Sequence, residues 1–264
     1  MPFNEAQGIR YLQFESLSRP EIVHAIFTRQ GGVSPAPWRS LNVGGTVGDR
    51  QERVAENRRR AIKALDLDPG SLYDVWQVHG KRVVNTDAPR PAHVPHERAD
   101  AILTDKPGIA LFMRFADCVP ILLYDPIRKV IGLVHAGWKG TLLGTVSEAV
   151  DAMQNRYASK PGHILAAIGP SIGAHHYQVG PEVVTQVKNR FGDHHHSLLI
   201  SQNGRVNLDL WAANHLLLEE SGVRKIELAG ICTACSLEHW YSHRAESGRT
   251  GRFGALIALK KEYL

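Results

Sequence analysis

A series of strand-sized apolar runs occupies residues 101–135 with no helical pattern between them. The runs are AILT (101–104), IALFMRF (109–115), VPILLY (119–124) and VIGLVH (130–135). A doubly wound sheet needs strands and helices in regular alternation, so this succession argues against that architecture. The pattern predicts an α+β fold in which mixed β-sheets are layered with helices, as an αββα-type sandwich.

Further apolar runs bounded by Gly, Pro or Asp predict strands on both sides of this region. These runs are at 23–28, 73–79, 164–169, 197–201, 225–231 and 253–259. Apolar residues at helical spacing predict helices at 50–65, 141–157, 181–191 and 208–221. The Pro-rich segment 87–98 is too short for a domain linker, so we expect a single domain over residues 1–264.

The composition is that of an ordinary globular protein, with 43% hydrophobic and 22% charged residues. The net charge of +5 weakly favours an anionic small substrate or phosphate. Basic residues are not interleaved with aromatic ones, so no nucleic-acid partner is expected, and neither a membrane span nor a signal peptide is evident. Three cysteines make a disulfide framework improbable and predict a cytoplasmic protein. The oligomeric state is left open.

Three metal-competent side chains, His79, Cys118 and His135, each lie where a hydrophobic strand pattern gives way to a glycine, a proline or a turn. Strand ends deliver side chains to one edge of a sheet, so the three can converge. Two imidazoles and one thiolate are a sufficient ligand set for zinc with an open fourth position, which distinguishes catalytic from structural zinc. Lone His and Cys residues are more often packing residues, so spacing alone does not decide this.

The segments around these three residues resemble the bacterial polyphenol oxidase or laccase-domain family. Members of that family also carry the names purine nucleoside phosphorylase and peptidoglycan editing factor. The matching segments are TRQGGVS (28–34), SLNVGGTVGD (40–49), VAENR (54–58), QVHG (77–80), ADA (99–101), ADCVPILLYD (116–125), HAGWKG (135–140), GPSIG (169–173), VGPEV (179–183), ICT (231–233) and TGR (250–252). The resemblance supports the layered α+β fold and implies zinc on His79, Cys118 and His135.

The resemblance also implies an activity: deamination of adenosine, and phosphorolysis of adenosine, inosine and methylthioadenosine. The expected partners are therefore a nucleoside and phosphate. Three alternatives stay open at this point. They are copper-dependent oxidation of phenols, hydrolytic editing of a cell-wall precursor, and a non-catalytic binding protein that uses zinc for folding. Copper competes well for nitrogen and sulfur ligands, but laccases need paired His-x-His motifs, and this chain has none beyond the run 194–196.

Two further candidates flank the predicted metal ligands. Asp117 is a candidate catalytic residue that orients a ligand or takes a proton, or else a turn residue. In HAGWKGT (135–141), Lys139 and the backbone N–H groups are candidates for binding phosphate, with Thr141 as a helix cap.

Arg29, Asn42 and Arg244 are the other predicted substrate-binding residues. Arg29 lies in TRQGGVS, Asn42 in SLN, and Arg244 in WYSHRA, where the family often carries a second arginine that is Ala245 here. For Arg29 and Arg244, ordinary surface charges are the alternative.

The pair Cys232 and Cys235 forms a CxxC motif, but no second CxxC exists and no helix start follows it. We therefore expect two thiols with no redox role and no second pair of metal ligands beside them. His175 and His176, after GPSIG, are weak candidates for the main site, and His194, His195 and His196 are expected in a solvated loop.

Overall fold

Two six-stranded sheets form the centre of the protein. The computed structural model describes residues 2–202 and 204–261. The strands are β1 Phe3–Ala6, β2 Ile9–Leu12, β3 Ile22–Phe27, β4 Leu72–Asp74, β5 Val83–Asn85, β6 Ala101–Thr104, β7 Ala110–Phe115, β8 Val119–Asp125, β9 Val130–Ala136, β10 Leu165–Ile168, β11 Leu199–Gln202, β12 Arg205–Leu208, β13 Lys225–Leu228 and β14 Phe253–Leu259. The first sheet has the order β1-β2-β3-β14-β7-β4, and the second has the order β13-β10-β8-β9-β6-β5. Strands β11 and β12 form a separate hairpin.

The helices lie outside the two sheets. They are α1 Gln51–Lys63, α2 Trp138–Leu143, α3 Thr145–Tyr157, α4 Pro181–Phe191, α5 His195–Leu198 and α6 Leu210–Glu220. Single 3-10 turns occur at Pro69–Ser71, Pro161–His163, Ala174–His176 and Gly192–His194. None of the helices described is both long and apolar enough to span a membrane.

The alternation of side chains along each strand divides the core into three layers. From β7, Leu111 and Met113 pack between the two sheets, whereas Phe112 faces the opposite way, toward Ala61 and Ile62 of α1. In the second sheet, alternate residues of β8 likewise face either the first sheet or the layer of α3, α4 and α6. The order of layers is helix, sheet, sheet, helices, so the predicted α+β class with layered mixed sheets is confirmed.

The register of the second sheet brings several chain segments to one edge. Strands β8 and β9 are antiparallel, with Val119 opposite Ala136 and Pro120 opposite His135. Strand β6 lies on the other side of β9, with Ala101 opposite Val134. The residues just before β8, just before β6 and at the end of β9 therefore meet at the same edge of the sheet.

Two of the predicted elements differ from the structure. The helix expected at 141–157 begins earlier, at Trp138, and is divided at Gly144, whose φ of +76° suits glycine and ends α2. Thr141 is consequently inside α2 and caps nothing; its hydroxyl accepts a hydrogen bond from Asn214. The strand expected at 73–79 ends at Asp74. Residues 77–80 are held by hydrogen bonds that involve side chains, and not by a neighbouring strand, as described below.

A buried histidine in β3 carries a pH dependence. His24 is 2% exposed, and its Nε2 accepts a hydrogen bond of 2.8 Å from the backbone N–H of Phe14, so the neutral ring is the form that fits. Burial lowers the pKa of His24 to about 4, against the opposing attraction of Glu227. His24 therefore binds a proton near pH 6.5 in the unfolded chain, but only near pH 4 in the native protein.

We predict that the burial of His24 lowers the free energy of unfolding as the pH falls from 6.5 toward 4. The decrease reaches ~3 kcal/mol at the acid end of this window. The variant His24→Gln should be less stable than the wild type at pH 7.5, and this difference should shrink or reverse by pH 4. Urea unfolding at several pH values measures it. An exposed control, His163→Gln, should give a difference that is flat with pH. Parallel curves for wild type and His24→Gln would contradict the prediction.

Candidate metal centre

His79, Cys118 and His135 lie together at the edge of the second sheet. One ligand atom from each, an imidazole nitrogen or the Sγ, lies within 4.8 Å of the other two. His135 is near the end of β9, Cys118 directly precedes β8, and His79 is in the loop after β4. The ring centroids of the two histidines are 4.9 Å apart, edge to face. His135 is buried, Cys118 is half-buried and His79 is exposed, so the cluster opens to solvent on the His79 side.

Asp100, directly before β6, organises this cluster. Its carboxylate is fully buried and accepts hydrogen bonds from the backbone N–H groups of Val78, His79 and Gly80, at 3.2, 2.9 and 2.7 Å. It also lies 2.8 Å from Nδ1 of His135. A carboxylate can only accept, so Nδ1 carries the proton and Nε2 of His135 is left to act as a ligand. One side chain thus fixes the backbone of one ligand and the tautomer of another.

The loop carrying His79 is also held from two other directions. The side-chain amide of Gln77 donates to the carbonyl of Arg114 in β7 at 2.7 Å and accepts from its N–H at 3.0 Å. The hydroxyl of Thr145 donates to the carbonyl of Gly80 at 2.7 Å. His79 has a left-handed φ of +57°, which the bonds on both sides of it stabilise.

The charges within the cluster favour a thiolate. Burial opposes ionisation of Cys118, but the positive charge and hydrogen bonds of His135, and then of His79, lower the pKa of Cys118 to about 6. Burial likewise disfavours the charged form of His135. The Cys118 thiolate and Asp100 together outweigh this effect and raise the pKa of His135. A thiolate beside two imidazoles is a preformed ligand set, since a metal ion can replace the shared protons.

The backbone at Gly137 leaves room for this cluster. A Cβ at that position would lie 2.8 Å from Sγ of Cys118, closer than real Cβ atoms come, and 3.1 Å from Cδ2 of His79, which is a tight contact. The donor set of one sulfur and two nitrogens fits zinc with an open position, and it would also accept copper. The residues present therefore fit a transition-metal ion.

Asp117 is part of the wall beside the cluster. Its φ is +77°, and its two carboxylate oxygens accept hydrogen bonds from the Thr233 hydroxyl and from the backbone N–H of Arg244, both at 2.7 Å. Its carbonyl accepts from the N–H of Ile172 at 3.0 Å. Asp117 thus ties together three loops that reach the site.

Arg244 is an exposed arginine held beside the cluster. One guanidinium N–H group donates to the carbonyl of Gln178 at 2.9 Å, and the guanidinium carbon lies 4.9 Å from the centre of the Tyr177 ring. Burial, and then the charge of Cys118, raise the pKa of Tyr177, so its hydroxyl remains protonated. Arg244 therefore places a positive charge, with donors to spare, over Tyr177, and its backbone is bonded to Asp117.

The structure places Arg29 and Asn42 in networks of hydrogen bonds that brace neighbouring loops. The guanidinium of Arg29 bonds the carbonyls of Arg39 and Leu237 and pairs with Glu246 at 3.1 Å. Asn42 is fully buried and bonds Asp49 and the backbone N–H groups of Gly44 and Arg252.

Lys139 is exposed on α2, with Nζ 5.5 Å above the ring of Trp138. Because α2 has only six residues, its N-terminus adds little to anion binding. Arg244 is thus the candidate anion-binding residue that the structure places beside the metal cluster.

A second group of metal-competent side chains surrounds Cys232 and Cys235. His175 and His176 lie beside the two thiols, with ligand atoms of all four residues within 4.8 Å of one another. The expectation that this pair lacks further ligands is therefore wrong: the partners are two histidines on another loop. His175 and His176 accompany these cysteines and form a group separate from the trio of His79, Cys118 and His135.

Asp100 and Tyr177 are the site residues that sequence reasoning did not single out. Asp100 lies in the matching segment ADA (99–101), where a lone acid immediately before a buried strand was the available signal. For Tyr177 the sequence offers no comparable signal, because its position depends on how the loop after β10 folds back.

Comparison with known proteins identifies the family. A family model described as multi-copper polyphenol oxidoreductase laccase matches residues 23–260. The chain belongs to this family. A protein of Deinococcus radiodurans named purine nucleoside phosphorylase is 38% identical over 97% of this chain and 95% of its own. Purine nucleoside phosphorylase YlmD of Bacillus subtilis is 33% identical over 91% of this chain and 90% of its own.

Solved structures of this laccase-domain family share the fold. The crystal structure of YfiH, a hypothetical protein of Bacillus licheniformis, matches with a TM-score of 0.91 and 33% identity, over 98% of this chain and 99% of its own. YlmD from Geobacillus stearothermophilus matches with a TM-score of 0.91 and 32% identity over 98% of both chains.

We predict that Asp100→Asn weakens metal binding at His79, Cys118 and His135 by roughly 10–100-fold. The side-chain amide of the variant places an NH₂ group against N–H donors that in the wild type bond the Asp100 carboxylate. The His79 loop and the His135 ring therefore lose their orientation. Chelator competition measures the affinity, with protection of Cys118 from alkylation as the site-specific signal. The control Asp87→Asn removes a surface carboxylate that pairs with Arg156 at 3.5 Å, and should change nothing. Equal protection of Cys118 in both variants would contradict the role of Asp100.

Proposed function

We propose that this protein is a zinc-dependent purine nucleoside enzyme. The proposed reactions are phosphorolysis of adenosine, inosine and methylthioadenosine, and deamination of adenosine. The observation that carries the proposal is the set of three ligands oriented by Asp100 beside the exposed guanidinium of Arg244. The names of the relatives supply the substrate class.

His79, Cys118 and His135 would hold the zinc ion. A zinc ion with an open position supplies Lewis-acid activation, and a related His/Cys set serves the zinc deaminases that act at C6 of adenine. Asp100 keeps Nδ1 of His135 protonated and directs the other nitrogen to the metal. The lowered pKa of Cys118 means that the thiolate is available at neutral pH.

Phosphorolysis needs an anion held against the sugar. Bond formation between a phosphate oxygen and C1′ accompanies cleavage of the bond from C1′ to the purine nitrogen, and the purine leaves with the bonding electrons and takes a proton. Arg244 would hold the phosphate, and its backbone bond to Asp117 and the stacking of its guanidinium on Tyr177 support this role. Lys139 is a further cation on the neighbouring helix. Tyr177, which keeps its proton, is a hydrogen-bond donor beside Arg244.

Copper-dependent oxidation of phenols is the weaker candidate, although the family description names it. Multicopper oxidation depends on several copper ions close together, most of them held by histidines. Among residues 2–202 and 204–261, the His, Cys and carboxylate groups that can hold a metal are the trio and the group of four around Cys232. Three free cysteines support a reducing, cytoplasmic location for the proposed enzyme.

We expect Cys118→Ala to abolish nucleoside turnover and leave the protein folded. Cys118 is only half-buried at the margin of the core between the sheets, and the protein has extensive cores elsewhere. Turnover of adenosine and inosine is measured with and without phosphate, and circular dichroism checks the fold. Chelator-treated wild type should regain turnover on addition of zinc, whereas Cys118→Ala should not. Full activity in metal-free Cys118→Ala would disprove the zinc mechanism.

We expect Arg244→Ala to impair phosphorolysis more than deamination. Loss of a charged donor to a transferring phosphate costs ~2–4 kcal/mol, or roughly 10²–10³ in rate, whereas deamination needs no phosphate. High phosphate should partly restore phosphorolysis. The matched control is Arg128→Ala, which removes an exposed arginine that also bonds one carbonyl, at the opposite end of β8. Equal losses in both reactions without phosphate rescue would show that Arg244 shapes the site and does not bind the anion.

A further inference from the structure

The four side chains His175, His176, Cys232 and Cys235, here called the distal cluster, have the composition of a closed metal site. Two thiols and two imidazoles are the donor set of structural zinc. The trio at His79 offers three ligands and an open position, so the two groups differ in kind as well as in place. The activity proposed above makes no use of the distal cluster.

Three nitrogen–sulfur distances within the distal cluster are close to the edges of a tetrahedron around zinc. Nε2 of His175 lies 3.1 Å from Sγ of Cys235, and Nδ1 of His176 lies 3.6 Å from Sγ of Cys232 and 3.5 Å from Sγ of Cys235. Around zinc, bonds of about 2.3 Å to sulfur and about 2.0–2.1 Å to nitrogen give nitrogen–sulfur edges of roughly 3.6 Å. Each ligand atom therefore has its neighbours at about the separation that one shared ion requires.

Two tight turns build the distal cluster. Cys232 and Cys235 are three residues apart on a turn closed by the Cys235 N–H, which donates to the Cys232 carbonyl at 3.2 Å. His175 and His176 occupy the single 3-10 turn at Ala174–His176, and the two turns are joined by a β-bridge between Ser171 and Cys232. These contacts hold the two pairs of ligands face to face.

The backbone around Cys232 suits a metal-bound sulfur. Cys232 is 6% exposed, and its sulfur accepts a hydrogen bond of 3.2 Å from the backbone N–H of Gly173. Backbone N–H groups that point at sulfur are typical partners of metal-bound thiolates. Both cysteines are free thiols, so neither is consumed by a disulfide.

From this geometry we propose that the distal cluster binds a structural zinc ion through Nε2 of His175, Nδ1 of His176 and the two sulfurs of Cys232 and Cys235. The ion would hold the loop after β10 against the loop after β13. Both loops extend to the cluster of His79, Cys118 and His135. Thr233, between the two cysteines, donates to Asp117, and Tyr177 directly follows His176. The distal zinc thus positions the side chains that line the entrance to His79, Cys118 and His135.

The first test is the zinc content of the purified protein after dialysis against a weak chelator. We expect about two zinc ions per chain in the wild type, and about one in Cys118→Ser and in Cys235→Ser. The variant carrying both changes should hold none. His194→Gln, which removes an exposed histidine outside both groups, is the control and should keep two.

A second measurement covers the case in which Cys235→Ser fails to fold. Cobalt added to Cys118→Ser should give the absorption of a tetrahedral ion with two thiolate ligands, whereas the trio supplies one thiolate in the wild type and none in this variant. Failure of the proposed nucleoside activity would leave both results unchanged, because neither measures turnover.

Three results would overturn the distal site. The first is zinc content that stays at one per chain in the wild type and falls to none in Cys118→Ser. The second is an ion in the distal cluster that dialysis removes completely. The third is an intact mass about two daltons low, abolished by Cys235→Ser, which would identify a disulfide between Cys232 and Cys235 in place of a metal.

Discussion

The buried carboxylate of Asp100 is the interaction on which the candidate site depends. An ionised carboxylate removed from water is costly unless its oxygens are hydrogen-bonded, and Asp100 accepts from three consecutive backbone N–H groups and from His135. Burial opposes ionisation, but the bonds to His135 and to these amides outweigh it and keep the pKa of Asp100 below its usual value. The register of the second sheet determines where Asp100 lies, because it places Asp100 next to the ends of β8 and β9. The fold thus delivers the ligands, and one carboxylate orients them.

A buried network of hydrogen bonds lies in two of the segments that match the family. Asn42 belongs to one of them, and its amide bonds Asp49, Gly44 and Arg252. Asn57 extends the same buried network to Ser34 and to the carbonyl of Asn42. A buried polar network that is fully bonded fixes one arrangement of the loops it joins. We therefore interpret SLNVGGTVGD and VAENR as a brace that holds the loops near β14.

The sequence predicted most of the fold because long apolar runs report burial directly. Strands β8, β9 and β14 and helices α1 and α4 lie within a few residues of their predicted positions. The short strands β1, β2 and β5 were missed, since three or four residues with one buried face carry little pattern. The convergence of Cys118 and His135 followed from their places at strand ends, whereas His79 lies in the loop after β4 that Asp100 holds. The pairing of Cys232 and Cys235 with histidines more than fifty residues away could not be predicted, because it depends on how two distant loops meet beside the β-bridge at Ser171.

The two groups of ligands are coupled through Asp117. Its left-handed backbone conformation is unfavourable for a residue with a side chain, and it is held by bonds from Thr233, Arg244 and Ile172. Two of these three partners belong to the loops that the distal cluster joins, and Cys118 is the next residue along the chain. A loosened distal cluster would therefore affect the candidate metal ligand Cys118 and Arg244 through one hydrogen-bonded residue. The hydrogen bonds to Asp117 hold these loops beside β8 although no regular sheet includes them.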